Sequence, residues 1–177
     1  GKKTSVAIGA TVISLLITGV LATVFANLAN LTGIASEEAG ILLAIRDGGM
    51  NMKGLLMAGM LVGALGILDD ITVSQAAIVE QLAAASEKLK FSELYKRAMK
   101  VGEDHIASMI NTLVLVYAGA SLPLLLIFIN NPHPFSEIVN YEFIAEEIVK
   151  TLVGSIGLIT AVPISTLMAC LAIKGKG

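Results

Sequence analysis

The sequence predicts an all-α fold: an integral membrane bundle of four transmembrane helices with short interfacial helices. Three observations predict it. First, 55% of the 177 residues are hydrophobic and the mean hydropathy is +0.83. That leaves too little polar surface to coat a water-soluble globule, and a lipid bilayer is the natural solvent. Second, three uncharged runs, residues 4–36, 106–129 and 151–173, reach the roughly 20 residues that a helix needs to cross a hydrocarbon core about 30 Å thick. Third, a further uncharged run of fifteen residues, 54–68, ends at two adjacent carboxylates, Asp69 and Asp70. This run spans only roughly 22 Å as a helix, so it crosses only if one end dips below the headgroups or a flanking side chain snorkels. Helices are expected near 5–29, 54–78, 106–129 and 149–173, in one membrane domain covering 1–177.

The first helix is far longer in its apolar part than a signal-peptide core and carries no cleavage pattern. After it, Ser36-Glu37-Glu38 followed by residues 39–45 reads as a short interfacial helix that stops at Asp47-Gly48-Gly49. In segment 79–105, Phe91, Leu94, Tyr95, Ala98 and Gly102 recur at helical spacing, with Lys96, Arg97 and Lys100 in other directions and Ser92 available as a cap. Two readings fit this segment: an amphipathic helix along the inner leaflet, or a solvated linker helix. Asn130-Asn131-Pro132-His133-Pro134 is a turn. Pro123 and Pro163 fall inside the third and fourth helices, where each removes a backbone hydrogen bond and kinks the rod. The single cysteine, Cys170, has no intrachain partner for a bridge, and packing is its expected role.

Lysine and arginine set the orientation. Lys2, Lys3, Lys88, Lys90, Lys96, Arg97, Lys100, Lys174 and Lys176 place nine cations on one side, against three, Arg46, Lys53 and Lys150, on the other. Both termini and segment 79–105 are therefore expected in the cytoplasm, with 30–53 and 130–148 outside. A repeat is also visible. MLVGALGIL (60–68) and TLVGSIGLI (151–159) share Leu, Val and both glycines at equal spacing, and the glutamate pairs Glu37-Glu38 and Glu146-Glu147 precede them. If the repeat is real, the unit is a two-helix hairpin used twice in parallel.

Chemistry concentrates on the second and third helices. Gly59, Gly63, Gly66, Asp70 and Ser74 are spaced at 4, 3, 4 and 4 residues and share one face. Small residues there let another helix backbone approach, which is how helices associate in lipid. Asp69 is rotated about 100° from that face. Insertion costs of about 2.5 to 3.5 kcal/mol per central aspartate would cancel most of the gain from the apolar residues around them, so the pair is expected toward the cytoplasmic boundary. Glu103, Asp104 and His105 open the third helix on the same side, and Ser108, Asn111 and Thr112 follow within two turns.

These nine residues, Asp69 and Asp70 with Ser74, Glu103, Asp104, His105, Ser108, Asn111 and Thr112, are the candidates for binding or for proton or cation coupling. Crowded carboxylates cannot all ionise cheaply, and histidine titrates near neutrality. The competing reading is that the aspartates merely end a span and that Glu103 and Asp104 cap a helix. No zinc-type ligand spacing occurs, so the metal signal is weak. Gly154, Gly157, Pro123 and Pro163 fit either close packing or broken helices around a site.

Enzymatic classes find little support. Intramembrane aspartyl proteolysis needs an aspartate on each of two facing helices, and the other spans have none. No span offers a histidine or lysine base beside a serine. Phosphate loops, nicotinamide fingerprints and nucleic-acid-binding patterns are missing, and no cofactor or nucleic-acid partner is expected.

Four stretches carry a family resemblance: LTGIASEE (31–38), LMAGMLVGALGILDDITVSQAA (56–77), GEDHIASMINTLVLVYAGASLPLLL (102–126) and AEEIVKTLVGSIGLITAVP (145–163). They resemble the YibE/F family of bacterial multi-pass membrane proteins across nearly the whole chain. The resemblance implies the C-terminal membrane half of a longer protein in a bacterial cytoplasmic membrane, and it supplies no catalytic or substrate residues. The expected function is a transporter or permease moving a small solute or ion. The alternative is a non-transporting subunit or scaffold that works as a homo-oligomer or with other membrane subunits.

Overall fold

A computed structural model describes residues 2–45, 49–86, 88–130 and 133–174. Among them no strand occurs, and seven helices follow in order: α1 (Lys2–Leu28), α2 (Glu37–Ile45), α3 (Met52–Ala85), α4 (Phe91–Ala120), α5 (Leu122–Asn130), α6 (Phe135–Ile138) and α7 (Glu142–Lys174). The expected stop of α2 at Asp47-Gly48 and part of the turn at Asn131-Pro132 lie outside the described residues.

Among the described residues three helices, where four spans are expected, are by themselves long and apolar enough to cross a membrane: α1 from Thr4, α3 and α7. The expected third span, 106–129, is divided. Its first half continues the polar segment 91–105 as one helix, α4, and its second half is α5. The division falls where Pro123 lacks an N–H and its ring would clash with the carbonyl of Gly119, four residues back. Ser121 closes α4 there, its N–H bonded to the Tyr117 carbonyl at 3.0 Å. Pro163 behaves differently and sits within the unbroken α7.

The amphipathic segment is correspondingly not a separate helix lying apart on a leaflet. Leu94, Ala98 and Gly102 are buried in the bundle. Both α3 and α7 also outrun their expected limits. Residues 79–85 and 142–148 are rich in helix formers, Ala, Leu, Gln and Glu, which extend each rod past its apolar run.

Burial on α1 is the reverse of that in a water-soluble helix. Ala7, Ala10, Thr11, Ser14, Thr18, Ala22 and Ala26 are all buried, while Ile8, Val12, Leu16 and Val20 are exposed. A strip of small residues lets α1 lie close against α3 and α7, and its large apolar residues face outward, as a lipid solvent permits.

The core divides into three layers along the bundle. At one end, here the Glu142 end, Ala22, Ala26, Leu31, Met60, Val149 and Val153 pack together. The middle layer holds Ala64, Leu68, Ile71, Leu158, Ala161 and Val162. The opposite end holds Val79, Leu94, Ala98, Ala169 and Cys170.

At the Glu142 end the connection after α1 is fixed by carboxylate chemistry. Both the N–H and the hydroxyl of Thr32 donate to the Glu142 carboxylate, and the Gly33 N–H donates to it at 2.9 Å. Gly33 has φ +78°, and a β-carbon there would meet the Met52 carbonyl oxygen at 2.5 Å, so only glycine fits this turn. Asn51 caps α3 by accepting the Gly54 N–H at 2.9 Å, and Ser36 caps α2 by accepting the Ala39 N–H at 3.2 Å.

Candidate functional site

The acidic pair on α3 lies at mid-length of the helix, beside the middle core layer. Asp69 and Asp70 stand between Leu68 and Ile71 of the middle layer, and one residue later the Thr72 hydroxyl meets the Thr11 hydroxyl at 2.6 Å. Both carboxylates are exposed. Gly59 and Gly66, on the face of Asp70, have no atom within 4 Å of where a β-carbon would be, and Gly63 meets only the Tyr117 hydroxyl at 3.9 Å. This face of α3 is uncovered within the chain.

The polar candidates on α4 are also turned outward. Glu103, Asp104, Ser108, Asn111 and Thr112 are exposed and His105 is half-buried. Asp104 follows the buried Gly102 by two residues, about 200° round the helix, so it faces away from the side packed on α3 and α7. Ser108 and Asn111 share its outer face. Glu103 instead borders an open groove of about 820 Å³ between Leu82 of α3 and Tyr95, Lys96, Met99 and Lys100 of α4. Ser74 is half-buried on α3. Among the described residues no hydrogen bond or ion pair joins Asp70 to Asp104 or His105.

Inside the bundle, the polar groups form a seam that the sequence reading passed over. Ser14, Thr18, Thr72, Gln75, Ser165 and Thr166 are fully buried. The Gln75 amide nitrogen donates to the Ala98 carbonyl at 2.9 Å and to the Thr166 hydroxyl at 2.7 Å, tying α3 to both α4 and α7. Thr166 in turn donates to the Val162 carbonyl at 2.6 Å. Two acceptors in the seam, Gln75 Oε1 and Ser14 Oγ, have no partner. A glutamine followed directly by apolar residues within a long apolar helix is the available signal, because buried amides in lipid need cross-helix partners.

A second polar group gathers at the Glu142 end. The first two turns of α7 place Glu146, Glu147 and Lys150 on one side of the helix, at the i, i+3 and i+4 spacings that bring side chains together. Lys150 Nζ donates to Glu147 Oε1 at 2.7 Å and lies 3.9 Å from Glu146 Oε2. Glu146 is 9% exposed in its side chain, and its Oε1 is buried with no hydrogen-bond partner.

These residues line a cavity of about 470 Å³ with Ser36, Glu37, Ser121 and Phe143. Phe143 is held by stacking on Phe128 and Tyr141, with ring centroids 5.9 and 5.8 Å away. The break at Ser121 and the cap of α2 therefore both open onto the same space. A second hollow of about 290 Å³, reaching from Glu147 and Ser121 to Tyr117 and Thr151, adjoins it. Between the cavity and the seam lies the apolar layer of Met60, Val149 and Val153. The pattern EExxK opening an apolar run held the clue; the sequence reading used the glutamates only as a repeat marker and Lys150 only for orientation.

Long apolar helices packed through small residues, with a cluster of acidic and basic side chains at one end and a polar seam within, define a helical membrane protein. The chain belongs to the YibE/F-like protein family, whose model matches residues 1–175. No curated protein and no solved structure matches it.

Proposed function

We propose that the chain is the membrane domain of a permease that admits a small solute at the Glu142 end of the bundle. The observation that carries this reading is Glu146, a carboxylate nine-tenths buried, with one oxygen unpartnered, on the wall of a cavity of about 470 Å³. Burying such a group without full compensation is costly, and ionisable groups kept inside membrane bundles are characteristic of substrate and ion pathways. The seam of Thr11, Thr72, Gln75 and Thr166 supplies polar groups further in. The apolar layer between them is the closed gate of an alternating-access cycle.

The excess of lysine and arginine at the other end, nine against three, supports a reading in which the cavity opens on the outer side of a bacterial cytoplasmic membrane. Flux of radiolabelled solutes through the full-length protein in liposomes tests the reading. Glu146→Gln is expected to abolish uptake at unchanged protein level, and uptake equal to wild type would overturn it.

A second reading, a membrane subunit that assembles with further helices, is favoured by the uncovered face of α3. Asp70, exposed beside the middle core layer, and the open glycines Gly59 and Gly66 on one face form a strip that lipid alone covers poorly. Another helix or a second copy covers that face in this reading and shields Asp70 from lipid. Cross-linking through cysteines placed at Gly59 and Val62 tests it. Only monomeric product would count against assembly on this face.

A further inference from the structure

The geometry points to an aliphatic amine, in its ammonium form, as the class of solute that the cavity at the Glu142 end takes; the inference rests on the permease reading and names its substrate class. Three carboxylates, Glu37, Glu146 and Glu147, line the cavity against one ammonium, Lys150. Carboxylates outnumber the ammonium three to one on this wall, so a cation is favoured over an anion.

Lys150 is already committed. Its 2.7 Å bond is to Glu147, whereas Glu146 Oε2 lies 3.9 Å away and Glu146 Oε1 is bonded to nothing. Oε1 itself is closed off by the protein, so the acceptor left to a solute is Oε2, which is beyond hydrogen-bond distance of Lys150, and the group that satisfies it is an N–H donor with positive charge. The remaining walls fit the body of such a molecule. Phe143, Ala35 and Ala120 are apolar, and an aromatic ring in reach of an ammonium adds a cation–π contact. Ser36 and Ser121 supply hydroxyls at the rim.

A volume of about 470 Å³ is that of an organic-ligand pocket rather than of a bare ion. No three of the described carboxylates, imidazoles or thiols converge with metal-binding geometry. An inorganic divalent cation therefore fits less well than a molecule with both an ammonium head and an apolar stem.

Titration calorimetry on the full-length protein in lipid nanodiscs tests this, with 1,4-diaminobutane, n-butylamine, butyrate and potassium chloride as probes. Both amines are expected to bind, the diamine more tightly because its second ammonium finds a second carboxylate on the wall, while butyrate and potassium give no heat. Glu146→Gln is expected to weaken amine binding at least about tenfold, with its fold checked by circular dichroism. Phe143→Leu, which keeps the charges, is expected to weaken it by a smaller factor, and Lys150→Gln to strengthen it by removing the resident cation. Butyrate binding as well as the amines, or amine affinity unchanged in Glu146→Gln, would overturn the assignment. Amine binding without any flux would sink the permease reading and leave the site standing; flux of another solute without amine binding would do the reverse.

Discussion

A β-carbon placed on Gly157 would lie 2.5 Å from the hydroxyl oxygen of Thr18, so α7 and α1 touch here with no room for a methyl group. Gly157→Ala is accordingly expected to push the two helices apart and to destabilise the bundle by roughly 1 to 3 kcal/mol. Its counterpart in the matching nine-residue stretch, Gly66, has open space instead, and Gly66→Ala is expected to leave the isolated chain unchanged. Thermal unfolding of both variants in the same detergent is the measurement, and equal losses would contradict the packing described.

Gln75 holds three helices at once through a single amide nitrogen. Gln75→Leu removes both bonds and also the unpartnered Oε1, whereas Gln75→Ala leaves a hole. Cross-helix polar contacts in membranes average about 0.6 kcal/mol, with a maximum near 1.7. Gln75→Leu is expected to cost an amount in that range, and Gln75→Ala distinctly more through the lost volume. Reversible unfolding in mixed micelles reads both.

The loop between α1 and α2 hangs on the Glu142 carboxylate, which accepts from Thr32 and Gly33. Glu142→Gln keeps the shape and weakens charge-assisted bonds by roughly 1 to 2 kcal/mol. Hydrogen exchange at the amides of Thr32 and Gly33 is expected to accelerate, while the exchange of α3 stays at its wild-type rate. Uniform acceleration throughout the chain would show a general loss of fold instead.

Pro123 separates α4 from α5. Pro123→Ala restores a donor to the Gly119 carbonyl and removes the clash, and the two segments are expected to fuse into one rod. Spin labels at Val116 and Leu126, both exposed, are ten residues apart. Their distance is expected to move toward that of a straight helix, about 15 Å along the axis. No change would place the cause of the break elsewhere.

The helices themselves were legible because their signal is local. Uncharged runs long enough to span and Pro123 as a point of weakness can both be read without knowing what packs where. The limits were less legible. Residues 79–85 and 142–148 carry Glu80, Gln81, Glu142, Glu146 and Glu147 beside the apolar runs, which mask that their helix formers extend each rod. Lys96, Arg97 and Lys100 suggested a leaflet helix, yet the buried side of that same segment, Leu94, Ala98 and Gly102, is taken up by α3 and α7.

The candidate site was legible in its ingredients and not in its assembly. Asp70, Asp104 and His105 drew attention because they are charged or titratable beside apolar runs, but helix rotation turns Asp104 away from α3. Glu146 looked ordinary because the sequence gives no measure of burial; the break at Ser121, the cap of α2 and the stacked Phe143 surround it only after folding.

Composition and periodicity alone determined a helical chain built for lipid, since transfer free energy and helix length depend on each segment by itself. The faces that meet were decided by tertiary structure. Gly63 and Gly66 in one stretch and Gly154 and Gly157 in its near copy have the same local environment in sequence. The first pair is exposed and the second buried, because rotation of α3 and α7 about their axes is set by what else packs around them, a property that no single helix carries.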